Sequence, residues 1–270
     1  MGMNRERSSD QYAEIDAVIS YIHQHLYDDL SLAQLAKYAC YSPYHFTRIF
    51  KVRTGLSPLY YVSSIRLQKA KDLLVNTNLT VRDISMEIGQ QSLGTFTTRF
   101  TERVGLTPVQ YRESKFVADQ YLNRLQKLDH WPSPRPAVKK TSRIEGTVRS
   151  DMPFQGVEFI GLFPRPIPEG IPLYGTLLPS LGDFCFPDVK PGTYYLMATS
   201  LSWGTRVKDI LLPHETLRYR SKEPLIVHQT SAVLDHQVTL HPPRLNEPPI
   251  LISLPLLMQR LLSSAGKLGQ

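Results

Sequence analysis

Two cysteines in 270 residues, Cys40 and Cys185, are too few for a disulfide framework or a thiolate metal site. They fall in different halves of the chain, and a reducing compartment, the cytoplasm, is the expectation. No signal-peptide pattern opens the chain, whose first residues are polar. No apolar run can span a bilayer: the longest, Ile250 to Leu262, is interrupted by Pro255, Gln259 and Arg260 and reads as a strand end followed by a short docking helix. There is no nucleophile elbow, P-loop or dinucleotide fingerprint. His214, His228, His236 and His241 match no zinc spacing, and Asp183, Asp188, Asp209 and Glu215 read as solvated turn carboxylates. Neither enzymatic activity, a metal, a cofactor nor a membrane partner is expected.

Acidic residues are short in one half only. Net charge is +7 for the whole chain. Residues 1–143 hold 20 Lys/Arg against 13 Asp/Glu, and residues 144–270 hold 11 against 11. The whole excess therefore lies in the first half, the footprint of a nucleic-acid binder.

That half also contains a repeat at an offset of fifty residues. Six anchors keep it: Ser42/Ser92, Phe46/Phe96, Phe50/Phe100, Gly55/Gly105, Pro58/Pro108 and Tyr61/Tyr111. Each copy is punctuated as a pair of helices. Ser31 with Gln34 reads as a capping box opening a helix over Leu32 to Ala39. Ser42 with Pro43 opens a second, to about Val52, and Gly55 stops it. Phe46, Ile49 and Phe50 share its inner face, while Tyr44, His45, Thr47, Arg48 and Lys51 share the outer one. In the second copy Thr80 and Asp83 cap, Val81, Ile84 and Ile88 face inward, Gly89 turns and Ser92 caps again. Two short helices, a tight turn and an Arg-bearing second helix describe a helix-turn-helix. Ser57-Pro58 opens the connector, predicted as a helix to about Val75. Nineteen residues make a rod of roughly 28 Å, close to the ~34 Å of one B-DNA turn. Two recognition helices could thus enter successive major grooves.

These residues resemble the AraC/XylS family of bacterial transcription regulators. The matching stretches are Leu30 to Ala36, Ser42 to Phe50, Thr54 to Pro58, Tyr61, Arg66-Leu67, Ala70, Leu73-Leu74, Ile84, Gly89, Phe96, Phe100 and Gly105 to Arg112. The resemblance covers about Ile15 to Arg112 and implies a double helix-turn-helix domain that binds duplex DNA. The second unit departs from the family: Gln90 replaces an aromatic, Thr98 an Arg, and Arg99 stands one place later, aligned with the inward Ile49. It is expected to be the weaker reader.

After Arg112, the apolar stripe Val117, Tyr121, Leu125 and Leu128 continues at helical spacing and is expected to pack on the second half or on a second copy. Pro132, Pro134 and Pro136 forbid a helix and mark the boundary. Short β-prone runs follow: Ile144 to Val148, Val157 to Phe163, Phe184 to Phe186, Thr193 to Thr199, Leu225 to His228 and Val238 to Leu240. The run Gly182 to Leu196, with Pro191-Gly192-Thr193-Tyr194, looks like prealbumin-like or carboxypeptidase-regulatory-like β-sandwiches. Tyr194, Tyr195 and Trp203 could line a ligand pocket, though core packing accounts for them as well.

The expected fold is two-domain, an all-α double helix-turn-helix followed by an all-β sandwich. The divisions are 10–128, a linker at 129–142, and an effector or oligomerisation domain at 143–270 with a short C-terminal helix. The expected DNA contacts are Tyr44, His45, Thr47, Arg48 and Lys51 in the first unit, and Leu93, Gly94, Thr95, Thr97 and Thr98 in the second. Arg48 is the base reader. The expected partner is double-stranded DNA, with RNA polymerase, a small-molecule effector and a second copy of the chain as further candidates. The rival is a constitutive DNA binder whose sandwich only contacts other proteins. An enclosed pocket favours the first reading, an exposed apolar patch the second.

Overall fold

The computed structural model describes residues 3–90, 92–129, 131, 142–228 and 233–268. The proline segment of the linker lies outside them. Helix α1 (Met3–Gln24) precedes the first unit, α2 (Leu32–Tyr38) and α3 (Pro43–Thr54). The connector α4 (Pro58–Asn76) leads to α5 (Val81–Glu87) and α6 (Leu93–Val104), then to α7 (Pro108–Glu113) and α8 (Ala118–Gln126). Capping boxes at Ser31 and Thr80 open α2 and α5. The Ser42 and Ser92 hydroxyls accept from the N–H groups of His45 and Thr95. Gly55 and Gly105 end α3 and α6 at φ of 84° and 88°, in the left-handed region open to glycine.

The repeat extends into the core. Phe46, Phe50 and Tyr61 form one chain of rings with centroids 5.5 Å apart at both steps. Phe96, Phe100 and Tyr111 form the other, at 5.6 and 5.7 Å. The units differ at the turn. Leu32 and Val81 begin the first helices 49 residues apart, while Pro43 and Leu93 begin the second helices 50 apart. The second turn is therefore one residue longer. Its left-handed residue is Gly89, φ 75°, where the first unit uses Cys40, φ 57°.

The second half holds two sheets. In one, β1 (Arg143–Ser150) lies beside β4 (Asp183–Phe186) and carries β8 (Val233–Asp235) and β9 (Val238–Leu240) in parallel. In the other, β2 (Gly156–Phe163) lies between β3 (Tyr174–Leu178) and β5 (Gly192–Ser202), and β5 carries β6 (Arg218–Arg220) and β7 (Leu225–Val227). Ile144, Phe184 and Leu240 from the first sheet share one apolar cluster with Ile160, Leu162 and Leu196 from the second. The opposite face of β2, with Val157 and Phe159, packs on α8 and on α10 (Leu254–Leu268). The half is sheet-rich and not all-β: α9 (Val207–Leu211) was not anticipated, whereas the 15-residue α10 stands where a short C-terminal helix was expected. Strands β3, β6 and β8 escaped the sequence reading: Gly175 interrupts the first, the second is Arg-Tyr-Arg, and the third is only Val233-Leu234-Asp235.

The stripe after Arg112 packs on the sheet of its own chain. Of its four residues only Leu125 is buried, Tyr121 and Leu128 are half-buried against the same cluster, and Val117 is half-buried outside it; Ala118 and Leu122, one position on from Val117 and Tyr121, complete the buried face. The two halves share a second apolar cluster. Ile167, Leu211, Leu212 and Leu251 insert into the helical core beside Phe50, Leu74 and Tyr111.

Candidate nucleic-acid interface

Helix α3 presents Tyr44, Arg48 and Lys51 to solvent, and Tyr44 is 84% exposed in the full chain. Their exposure follows from Phe46, Ile49 and Phe50 facing inward, which turns the other side of the same helix outward. His45 is half-buried, its ring edge-on to Tyr41 at 5.0 Å. Thr47 is also half-buried, and its hydroxyl donates to the Pro43 carbonyl at 2.7 Å. That donor is spent within the helix, leaving Thr47 an acceptor and a methyl group. On α6, Leu93, Gly94, Thr95 and Thr98 are exposed and Thr97 is half-buried. Thr95 is held at the helix start by Ser92. Arg99 is exposed and lines a groove formed with Ser57 and Tyr60 at the start of α4, whereas its repeat partner Ile49 is buried. The second half leaves both outer faces uncovered.

The second half holds the other ends of these helices. The last carbonyls of a helix have no partner within it. In α3, the Arg53 carbonyl accepts from the Asn246 side-chain amide at 3.2 Å, and the Thr54 carbonyl accepts from Arg220 at 2.6 Å. In α6, the Arg103 carbonyl accepts from the Gly170 N–H at 2.6 Å, and the Val104 carbonyl accepts from the Ser253 N–H at 2.9 Å. These are the same two positions, fifty residues apart. Tyr61 and Tyr111, also fifty apart, donate to the carbonyls of Leu245 and Leu211 at 3.4 and 2.5 Å. Four unrelated segments thus cap two repeated helices at equivalent places. The left-handed φ at Gly55 and Gly105 favours glycine, and an added Cβ would lie 2.4 Å from the Arg220 guanidinium at one and 2.7 Å from Leu256 at the other, so those side chains would have to shift.

Charge is buried in this seam. Arg103 donates to Glu169 at 2.5 Å and to Ser63 and Ser64, with side-chain exposures of 10% and 7% for the ion pair. Tyr60 donates to the same carboxylate, and Arg165 reaches it at 3.1 Å. Lys71, fully buried, donates to the Ile250 carbonyl at 2.8 Å and lies over the Tyr111 ring. Its burial pulls its pKa down to about 7. Burial likewise lowers Arg220. Neither Lys71, Arg103 nor Arg220 stood out in the sequence. Arg103 repeats Arg53, itself polar, and Arg220 lies outside the repeat, so no break in an apolar pattern marked either as buried.

Beyond the seam, a cavity of about 240 Å³ opens between the β2–β3–β5–β6 face and α10. Tyr194, Tyr195 and Trp203 do not line it. Tyr194 belongs to the cluster between the sheets, and Trp203 packs against the α8–α10 layer. His214 pairs with Asp72, His236 with Tyr219 and His241 with Glu247. Among the described residues no three His, Cys, Asp or Glu side chains gather as metal ligands. No described helix is long and apolar enough to cross a membrane.

Residues 35–114 match a family profile described as a helix-turn-helix domain. That part of the chain is a helix-turn-helix domain. Among curated proteins, the HTH-type transcriptional regulator YobQ of Bacillus subtilis is 38% identical over 100 residues, 37% of this chain and 42% of YobQ. The bifunctional transcriptional activator/DNA repair enzyme AdaA of the same organism is 31% identical over 107 residues, 40% of this chain and 51% of AdaA. The match therefore spans about half or less of these relatives. Among solved structures, the C-terminal domain of AraT, a response regulator from Geobacillus stearothermophilus, is 31% identical with a TM-score of 0.36. It covers 37% of this chain and 84% of that one.

Proposed function

We propose that the chain is a sequence-specific transcription regulator of the cytoplasm. In this reading α3 and α6 enter adjacent major-groove segments of one duplex. The two-sheet half, read as a β-sandwich, fixes the offset between them and modulates it. Arg48 reads a base, Tyr44 and Thr47 contact phosphate or thymine methyl groups, Lys51 contacts phosphate, and Thr95 and Thr98 hold the second helix mainly by backbone contacts. One observation carries this reading. Both outer helix faces stay open in the full chain while both inner ends are capped at equivalent positions by the second half. A constitutive DNA binder would need the open faces but not this paired clamp.

The test is selection of bound duplexes from a random-sequence pool by the full chain, followed by anisotropy titration of the winner. The expected result is one motif with two parts about one helical turn apart. A pool that shows no enrichment at low salt overturns the reading.

A further inference from the structure

The cavity beneath α10 has a floor of sheet residues, among them Phe159, Met197 and Thr199, and a wall of Leu257 and Leu261. Met197 is 3% exposed yet belongs to none of the three apolar clusters. Met197 lines the cavity, and its unbranched thioether side chain makes an adaptable floor. The cavity's volume of about 240 Å³ has room for several waters or one small organic guest. It is half open to solvent and its lining is predominantly apolar, so an apolar guest can enter and bury surface against its walls.

The charged groups around it are mostly committed. Arg218 donates to the carbonyls of Pro213, His214 and Thr216. Arg220 holds Thr54 and Pro166. Glu247 pairs with His241 and accepts from the Arg244 N–H. Arg260 is different: it is exposed, lines the cavity, and has no ion-pair partner among the described residues. An apolar chamber with one free cation in its lining suits an apolar molecule carrying one acidic group.

The walls are also shared with the seam. Arg220, which caps α3, lines the cavity. Ile171 and Ile252 line it too and stand beside Gly105, the cap of α6. The Pro168 carbonyl, another wall, accepts from the N–H groups of Leu251 and Ile252. A guest therefore touches the clamps of both recognition helices at once.

We propose that this cavity binds a small aromatic or branched carboxylic acid, anchored by Arg260, and that its occupancy changes the offset at which α3 and α6 are held. The binding part stands alone, and the coupling part rests on the proposed DNA reading. Calorimetry on the full chain with 2-naphthoate, and with the isosteric neutral 2-naphthamide, tests the site. Naphthoate should bind one per chain and more tightly than the amide by about two- to fivefold, the size of an exposed ion pair. Arg260→Ala should erase that difference and leave the amide unchanged. Met197→Trp fills the chamber and should abolish both. Leu257→Trp fills it from the helix side and serves should the first variant fail to fold. If neither probe binds, or both Trp variants bind like wild type, the site does not exist.

Coupling is read separately, as the change in naphthoate affinity when the selected duplex is present, which must equal the change in duplex affinity with naphthoate. Equal naphthoate affinity with and without duplex overturns the coupling. A chain that binds naphthoate but enriches no duplex overturns the DNA reading and leaves the site standing.

Discussion

Arg220 donates a 2.6 Å hydrogen bond to the carbonyl of Thr54, the last residue of the first recognition helix. The same nitrogen also reaches the Pro166 carbonyl at 3.2 Å, so one guanidinium ties a helix end to the loop after β2. Arg220→Ala should leave two carbonyls without their charged donor and cost about 1–3 kcal/mol in urea unfolding. Its diagnostic effect lies elsewhere. On duplexes whose two half-sites are moved apart by one or two base pairs, the variant should discriminate less than wild type. Undiminished spacing preference would mean that the clamp does not set the offset between the helices.

The two recognition helices are expected to read unequally. Arg48→Ala should lose about 1–3 kcal/mol of affinity on the selected site and relax base preference at one position. Thr98→Ala should lose clearly less, because it removes one hydroxyl from a helix whose turn is a residue longer than that of the first unit. The salt dependence of the full chain should give a log–log slope of about −4 to −8, for several phosphate contacts at roughly −0.9 each. Equal losses at Arg48 and Thr98 would show that α6 reads sequence as well as α3 does.

The ion pair between Arg103 and Glu169 joins the second recognition helix to the loop before β3. Glu169→Ala should destabilise the full chain by about 3–5 kcal/mol, since it strands a buried guanidinium on two serine hydroxyls. Arg165→Ala removes a partner of the same carboxylate whose side chain is 62% exposed, and should cost under about 1 kcal/mol. Comparing urea midpoints of the two variants checks this. A small effect at Glu169 would mean that water replaces the carboxylate and that the seam is wetter than the geometry implies.

Helix starts, turns and inner faces of the first half were legible because they rest on local chemistry. Ser42 before Pro43, Ser31 with Gln34 and the Phe46/Phe50 spacing each act within a few residues. The longer second turn was hidden, because the repeat was aligned on its second helices and the slip lies before Ser92. Most long strands were visible as alternating or continuous apolar runs. The seam was not. Arg220 sits in a charged three-residue strand, and Ser253 and Gly170 act through backbone N–H groups that no residue type announces. Anchors such as Tyr61 and Tyr111 were identified as repeat positions, yet their hydroxyl partners, Leu245 and Leu211, lie 184 and 100 residues away in sequence.

Two buried groups should give the stability of the full chain a measurable pH profile. Lys71 has its folded pKa lowered from 10.5 to about 7 by burial. The folded state therefore favours the neutral amine. Its contribution is present above pH 10.5, shrinks as pH falls and is lost once pH passes the folded value near 7. Glu158 has the opposite sense. Both of its carboxylate oxygens are buried without a hydrogen-bond partner among the described residues, and burial raises its pKa from 4.5 to about 7. The folded state favours the neutral acid, so its contribution is present below pH 4.5 and is lost as pH rises through about 7. Each group alone gives a slope of up to about 1.4 kcal/mol per pH unit within its window. Lys71→Met should therefore flatten the urea midpoint between pH 7 and 10 and leave the acid side unchanged. Glu158→Gln should flatten it between pH 4.5 and 7 and leave the alkaline side unchanged. The two variants serve as controls for each other, since the windows meet near neutrality without overlapping. An unaltered alkaline limb in Lys71→Met would mean that the amine stays charged in the seam. It would then need more than the Ile250 carbonyl to hold it there.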